Sequence, residues 1–303
     1  MNPPIELVTQ PDITIKIDFG SELHTNPSIL RWKDKWVMLL RNKMGPSELI
    51  MATLDDNLIV LDKKHFPTSP FKDRYKWGAE DPRIFWHNDK LLYTYHGTNN
   101  HSIRTIMGEI DQFTLQPKGE PHEVEYAPGP EKNWTFFSFR GLPFAVNTFA
   151  PKHKIVKITG LDDNLYGQQG EEHAVPVSAL VYSVTDGSAF EWPYGEARGG
   201  SPAIRVGEHY YTVFQSHVVH NNMPRYYCAA FAKFSARTPF NVEEITGPVL
   251  IPDEFRDWGF SVVFPAGLQL HNGQWYVSYG HMDSECRVSI FDFKKVERLF
   301  RKV

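Results

Sequence analysis

Several things are scarce or missing in this 303-residue chain, and each shortage closes a class of function. Cys228 and Cys286 are the two cysteines present, too few for a disulfide framework, so a reducing compartment is expected. No run of about 18 apolar residues occurs, and the opening MNPPIELVTQPDI lacks the apolar centre of a secretory signal. The expectation is a cytoplasmic protein with no membrane partner. Neither charge sign dominates: 32 Lys and Arg stand against 36 Asp and Glu, net -4, with no long basic run. That balance argues against a nucleic-acid partner. A Gly-rich phosphate loop and a G-x-S-x-G nucleophile elbow are both missing. Helical periodicity is almost absent too, Phe293–Arg301 being the one stretch that reads as a short helical turn.

Aromatic residues, by contrast, make up 14% of the chain, which favours β-structure and suits a carbohydrate surface, although most such rings belong to a core. The informative stretch is Trp77–Gly97, which reads as a β-hairpin. One strand runs from Pro82 to about Trp86, Asn88 and Asp89 make the turn, and Leu91–Tyr95 returns. Folding there brings Glu80 and Asp81 close to His96, with Arg83 just inside. Carboxylates, a guanidinium and an imidazole then share the open end of a rigid element.

The same hairpin recurs. Asn26–Arg41 turns at Lys33 and Asp34, Asn133–Phe149 at Arg140 and Gly141, Gly200–His217 at Val206–Glu208, and Phe264–Gly280 at Asn272 and Gly273. Taking Pro27, Pro82, Phe136, Pro202 and Pro265 as equivalent, the steps are 55, 54, 66 and 63 residues. Periods of that length with two strong strands each predict four-stranded blades. The outer strands read as Glu48–Leu54 with Leu58–Val60, Thr105–Ile110, Leu180–Val184, Tyr226–Phe234 and Arg287–Asp292, and Val124–Lys132 reads as a connector. Ring closure hides sheet edges, so the expected fold is all-β, a five-bladed β-propeller forming one domain over residues 1–303. A pair of β-sandwich domains is the alternative.

If the five open ends face one way, one mouth collects the flanking residues. These are Asn26 and Arg41, then Glu80, Asp81, Arg83 and His96, then Glu131, Lys132 and Asn133. The fourth repeat adds Arg198, Ser201 and His217, and the fifth Ser261, His281 and Asp283. Trp77, Trp134, Trp192, Tyr226 and Trp258 are its aromatic neighbours. Such a mouth suits a small hydroxyl-rich ligand. Plainer roles compete: Arg83 and Arg198 as bridges between carboxylates of neighbouring blades, and Asp81 as a turn cap before proline. The three histidines lack the close spacing of a metal site, and none is expected.

Gly78-Ala79-Glu80-Asp81-Pro82-Arg83 resembles the G-x-E-D-P-R motif of glycoside hydrolase family 130, the β-mannoside phosphorylases and some β-mannosidases. The mannosyltransferase/phosphorylase glycosyltransferase family 108 looks similar. Glu131-Lys132-Asn133-Trp134 resembles the third-blade K-N motif, and Val262–Gly267 with Tyr279, Gly280 and Asp283 the fifth-blade signature. Phe214-Gln215-Ser216-His217 stands where the phosphorylases carry Y-H-G, and Arg198–Pro202 replaces the usual fourth-blade opening.

The resemblance implies a five-bladed propeller and an inverting reaction at a β-mannosidic bond, with Asp81 as general acid. It makes Asn26 and Asp283 sugar ligands, with Arg41, Glu80, Arg83, His96, Lys132 and Asn133 also expected to bind substrate. Phosphate would fall to Arg83, Lys132, Arg198 and His217, since cationic forks suit oxyanions. No cofactor is implied; inorganic phosphate, a sugar phosphate or a nucleotide-sugar donor acts as co-substrate. Phosphate arrives as an anion and needs one acid, whereas inverting hydrolysis needs a second carboxylate to activate water. Glu131, Asp283 and Glu196 are available for that. A glycan-binding propeller without turnover is the remaining alternative. Strand alternation predicts that Glu80 points away from Asp81 and that Arg83 shares its face.

Overall fold

The computed structural model describes residues 5–68, 71–100, 102–125, 132–150, 153–158, 177–183, 190–218, 225–254 and 260–303. Strand β1 (Ile13–Ile17) precedes five units of mainly antiparallel strands. The first is β2 (His24–Trp32), β3 (Lys35–Asn42), β4 (Glu48–Leu54) and β5 (Val60–Phe66), and the second β6 (Gly78–His87), β7 (Lys90–Thr98), β8 (Ile103–Ile110) and β9 (Pro117–Glu125). The third is β10 (Thr135–Phe139), β11 (Leu142–Thr148), β12 (Lys154–Ile158) and β13 (Val177–Ser183). The fourth comprises β14 (Glu196–Arg198), β15 (Ile204–Val206), β16 (His209–Val218), β17 (Arg225–Ser235), β18 (Val242–Ile245) and β19 (Phe260–Ser261). The fifth is β20 (Val263–His271), β21 (Gln274–His281) and β22 (Glu285–Asp292), followed by α1 (Phe293–Glu297) and β23 (Arg301–Lys302).

Local chemistry explains the hairpins. Asn88 and Asp89 both take positive φ at the β6–β7 turn, the conformation that matches the strands' twist and that Asn and Asp tolerate. Asn272 and Gly273 do the same between β20 and β21, and Arg140 and Gly141 between β10 and β11. Two outer elements differ from expectation. Leu58 has φ +62° and belongs to the turn closed on Asp55, so the strand expected at Leu58–Val60 runs Val60–Phe66. The terminal helix stops at Glu297, because Arg301 joins β23 and pairs with Ile245 of β18. Of the expected connector, Val124 closes on β9, and 126–131, with Glu131, lies outside the described residues, as does Trp258.

Adjacent residues on a strand face opposite sides, and here both sides are apolar because each unit is packed between two others. Leu30 and Leu39 meet Ile84 and Tyr93 between units one and two, while Phe85 and Leu92 meet Phe136 and Ala145 between two and three. Phe137 and Val146 meet Tyr210 and Phe214 between three and four, and Tyr211 and Val213 meet Trp275 and Val277 between four and five. Val288 and Ile290 of unit five then pack on Ile29, Trp36 and Met38 of unit one. Core contacts therefore run in a cycle, each unit touching the next and the last touching the first. β1 supplies the outermost strand of unit five, pairing Ile13 with Ile290 and Ile17 with Cys286, so an N-terminal strand completes the last unit's sheet. Units two to four also hydrogen-bond into one continuous sheet, while units one and five are separate four-stranded sheets.

Candidate active site

The inner strands break register where the polar residues cluster. β2 pairs with β3 through a shift between Thr25 and Ser28, and β6 with β7 through one between Glu80 and Arg83. These are β-bulges, and the residues inside them, Asn26 (φ +52°) and Asp81 (φ +51°), are left-handed. Asn133 (φ +68°) and Asp283 (φ +55°) share that conformation. Asn and Asp adopt it more readily than other side-chain-bearing residues, at a cost on the order of 1 kcal/mol each.

The bulges bring separate units together. Asn26 Nδ2 donates to Asp81 Oδ1 at 2.7 Å, joining units one and two. Asp81 is 5% exposed. Burial alone would raise its pKa, but Lys132, His96, Arg41 and Arg83 oppose it, and the carboxyl lies below its ordinary value. His96 is itself pushed down to about 3, chiefly by burial, so at neutral pH the ammonium and guanidinium groups carry the effect. Its Nε2 accepts the Asn133 backbone N–H at 3.3 Å and its Nδ1 faces Thr105 Oγ1 at 3.4 Å. His96 thus positions Asn133.

The bulge also overturns the alternation expected of Glu80. Its Oε1 accepts from Arg41 Nη2 at 2.9 Å and its Oε2 from Lys132 Nζ at 2.8 Å, the same Lys132 whose charge acts on Asp81. Glu80 therefore points into the cation cluster beside Asp81 and ties units one and three to unit two. Lys132 is held protonated: burial lowers its pKa, but Asp81 and Glu80 raise it further.

Arg83 has a different use from the one expected. It is buried and donates to the backbone carbonyls of Gly200, Asp81, Pro82 and, more weakly at 3.4 Å, Pro265, with its guanidinium 5.1 Å from the Phe264 ring centre. Desolvation lowers its pKa to about 10. Donors spent on three units make it a strut under the site.

The far side of the mouth is organised by a residue the sequence reading passed over. Tyr227 stacks on His217, ring centres 4.7 Å apart and planes 14° from parallel, with the Phe260 ring tilted against it at 6.3 Å. Burial raises the Tyr227 pKa, and Arg198, Asp283, Asp81 and Lys132 all act on it, so one phenol lies within electrostatic reach of groups from four units. Strand parity explains the miss: neighbouring Tyr226 is fully buried in a core with Cys228. Arg198 faces Glu196 at 2.5 Å, both about half exposed, a pair worth about 0–1 kcal/mol. Asp283 is exposed and meets Lys43 at 3.7 Å.

The other expected rim residues differ in burial and partners. Ser201 is buried where unit four's inner strand breaks between β14 and β15, its Oγ receiving the Val213 N–H. His281 is buried between Asp253 and Glu285. Ser261 is buried, and Trp134 belongs to the core between units two and three. Trp77, 58% exposed, precedes β6. Among the described residues no group of three His, Cys, Asp or Glu is placed to hold a metal ion.

A family model described as beta-1,4-mannooligosaccharide phosphorylase matches residues 62–301. The chain belongs to glycoside hydrolase family 130. No curated protein sequence matches it. Among solved structures, a β-1,2-mannobiose phosphorylase from Listeria innocua in complex with β-1,2-mannobiose superposes with a TM-score of 0.62 at 14% identity, covering 97% of this chain and 94% of that one. A mannose phosphorylase from Leishmania mexicana in complex with phosphate gives 0.58 at 10% identity, with 97% and 92% covered. A family 130 structure described with glycoside hydrolases that target β-1,2 mannosidic linkages in Candida mannan gives 0.65 at 19%, covering 90% and 85%. At these identities the likeness is one of fold. Enzymes of family 130 act on β-mannosides as phosphorylases or hydrolases.

Proposed function

We propose that this family 130 protein is an inverting β-mannoside phosphorylase, with Asp81 as the acid and the five units closed into a five-bladed propeller. The cyclic order of core contacts supports the architecture. The chemistry rests on one observation: a buried carboxylate, fixed by Asn26 and surrounded by cations from the first three units.

In phosphorolysis the phosphate oxygen attacks the anomeric carbon while the glycosidic C–O bond breaks, and the departing oxygen takes a proton that originates on Asp81. The nucleophile is already anionic, so no second carboxylate is required as base. Asp81 must hold that proton when the bond breaks, and an incoming phosphate supplies a reason: its charge offsets Lys132 and Arg41, which keep Asp81 ionised in the free protein. Asn26, Asn133 and Asp283 are the proposed sugar ligands, and Lys132, Arg41, Arg198 and His217 the phosphate side. A nucleotide-sugar donor has no support from the site or from the relatives, and the proposal does not include it. Two buried, unpaired cysteines accord with a reducing, cytoplasmic setting.

Hydrolysis is the second reading. It is favoured by the fact that Arg41, Lys132 and Arg198 each already face a carboxylate. The test is product analysis with β-1,4- and β-1,2-mannobiose, with and without inorganic phosphate. Phosphate-dependent release of α-mannose 1-phosphate is expected; mannose alone, at a rate indifferent to phosphate, selects hydrolysis. Asp81→Asn, which keeps a side chain suited to left-handed backbone, should lower turnover about 10³-fold while the protein stays folded. Full activity in that variant refutes the acid assignment.

A further inference from the structure

Glu80 is one residue from the proposed acid, yet it makes no hydrogen bond to it. Its two oxygens are divided between Arg41 Nη2 at 2.9 Å and Lys132 Nζ at 2.8 Å, and its side chain is mostly buried. A carboxylate that presents two oxygens to two cations on either side has the same charge sign and bonding pattern as two oxygens of a tetrahedral oxyanion. These cations come from units one and three and both bond Glu80. Arg83 is spent on backbone carbonyls, and Arg198 lies in the exposed pair with Glu196.

We infer that Glu80 is a built-in counter-ion occupying the oxyanion seat of the free protein, and that it sets the affinity for the anionic co-substrate by competing with it for Arg41 and Lys132. The inference rests on the phosphorylase reading for its identification of that co-substrate as phosphate. Without Glu80, two cations would stand part-buried near Arg83 with only Asp81 to balance them, which is costly. With it, these groups sum to a single positive charge, and an arriving dianion displaces the carboxylate from one or both cations. A neutral sugar brings no charge with which to displace the carboxylate from those cations. Glu80 thus tunes one co-substrate and not the other, and this separates it from a residue that merely braces the mouth.

The experiment is titration with inorganic phosphate, read as the rise in unfolding temperature, in the wild type, Glu80→Gln and Glu80→Asp, with mannose titrated in parallel. Glu80→Gln removes the competing charge, and the phosphate concentration for half the shift should fall about tenfold. Glu80→Asp, too short to span both cations, should move the same way by a smaller factor, and it serves if the Gln variant does not fold. An unchanged or higher half-saturation for phosphate in folded variants overturns the inference, as does a wild type and variants all indifferent to phosphate. Loss of the mannose response in step with the phosphate response also overturns it, because a collapsed mouth would do that. The phosphorylase reading is judged separately, by product analysis. Tighter phosphate binding in Glu80→Gln, alongside phosphate-independent release of mannose by the wild type, keeps the anion seat and removes the phosphorylase.

Discussion

Asn26 and Asp81 are 55 residues apart, lie in different units, and meet at 2.7 Å while both hold left-handed backbone. Each is followed by proline and sits where its strand slips register. The two bulges are matching features of neighbouring units, and the bond between them is how the fold aims the proposed acid. Asn26→Ala therefore combines two losses. It removes a buried hydrogen bond to a charged group and places alanine at φ +52°, for a combined cost of about 2–4 kcal/mol. Asn26→Gly relieves the backbone and should recover part of the stability but none of the activity. Denaturant unfolding beside turnover checks this; equal activity in the Gly variant and wild type would show that the contact does not aim Asp81.

Acid should weaken the fold through His96. Its pKa is about 3 in the folded protein, against an ordinary value of about 6.5. The unfolded chain binds the proton and the folded one refuses it, so the contribution is complete above pH 6.5 and is lost as pH falls toward 3. By pH 5 the loss is about 2 kcal/mol. Buried His153, lowered to about 4, adds a loss of the same sign. Unfolding free energies at pH 7 and pH 5 should converge by about the His96 share in His96→Asn. An unchanged difference would mean that His96 is not held neutral.

Much of this was legible in the chain, for reasons that differ by residue. The turns at Asn88, Asp89, Asn272 and Gly273 are decided by local φ preference and need no tertiary context. Asn26 and Asp81 were legible because each precedes the proline that opens its repeat, and Asn133 because its run resembles the family's third-blade motif. What escaped depends on partners distant in sequence. β1 finds β22 about 275 residues away, as in the Thr14–Ser289 contact, and no local pattern announces that. Arg83 has the chemistry of an anion ligand, and only the packing of Gly200 and Pro265 against it reveals a strut. A one-residue bulge reversed the expected direction of Glu80, and a one-residue parity choice at Tyr226 and Tyr227 misassigned the aromatic.

Tyr227 offers two separable handles. Tyr227→Phe keeps the stack on His217 and removes the hydroxyl on which the charges of Arg198, Asp283, Asp81 and Lys132 act. Tyr227→Ala removes both. The Phe variant should raise the KM for mannoside by about three- to tenfold, and the Ala variant should raise it further and lower kcat, because His217 loses its support. Steady-state kinetics on both distinguishes them. Wild-type constants in the Ala variant would take Tyr227 out of the site.

Gly280 tests the bulge geometry from the opposite side. It lies on β21 of unit five, and a Cβ placed there would stand 2.0 Å from Asn26 Oδ1, 2.6 Å from Thr25 Oγ1 and 2.9 Å from the Asn26 backbone nitrogen. None of these can be met without a shift, and the nitrogen belongs to the strained backbone itself. Gly280→Ala should therefore push Asn26 off Asp81 without altering any polar group. The expected result is a loss of turnover comparable to Asn26→Ala, with a stability cost of about 1–3 kcal/mol from overpacking. Combining Gly280→Ala with Asn26→Gly removes the Oδ1 that the methyl strikes, so the double variant should lose less stability than the sum of the singles, as contacting residues do. Strict additivity of the two costs would show that unit five does not press on the Asn26 bulge, and that the acid is aimed by units one and two alone.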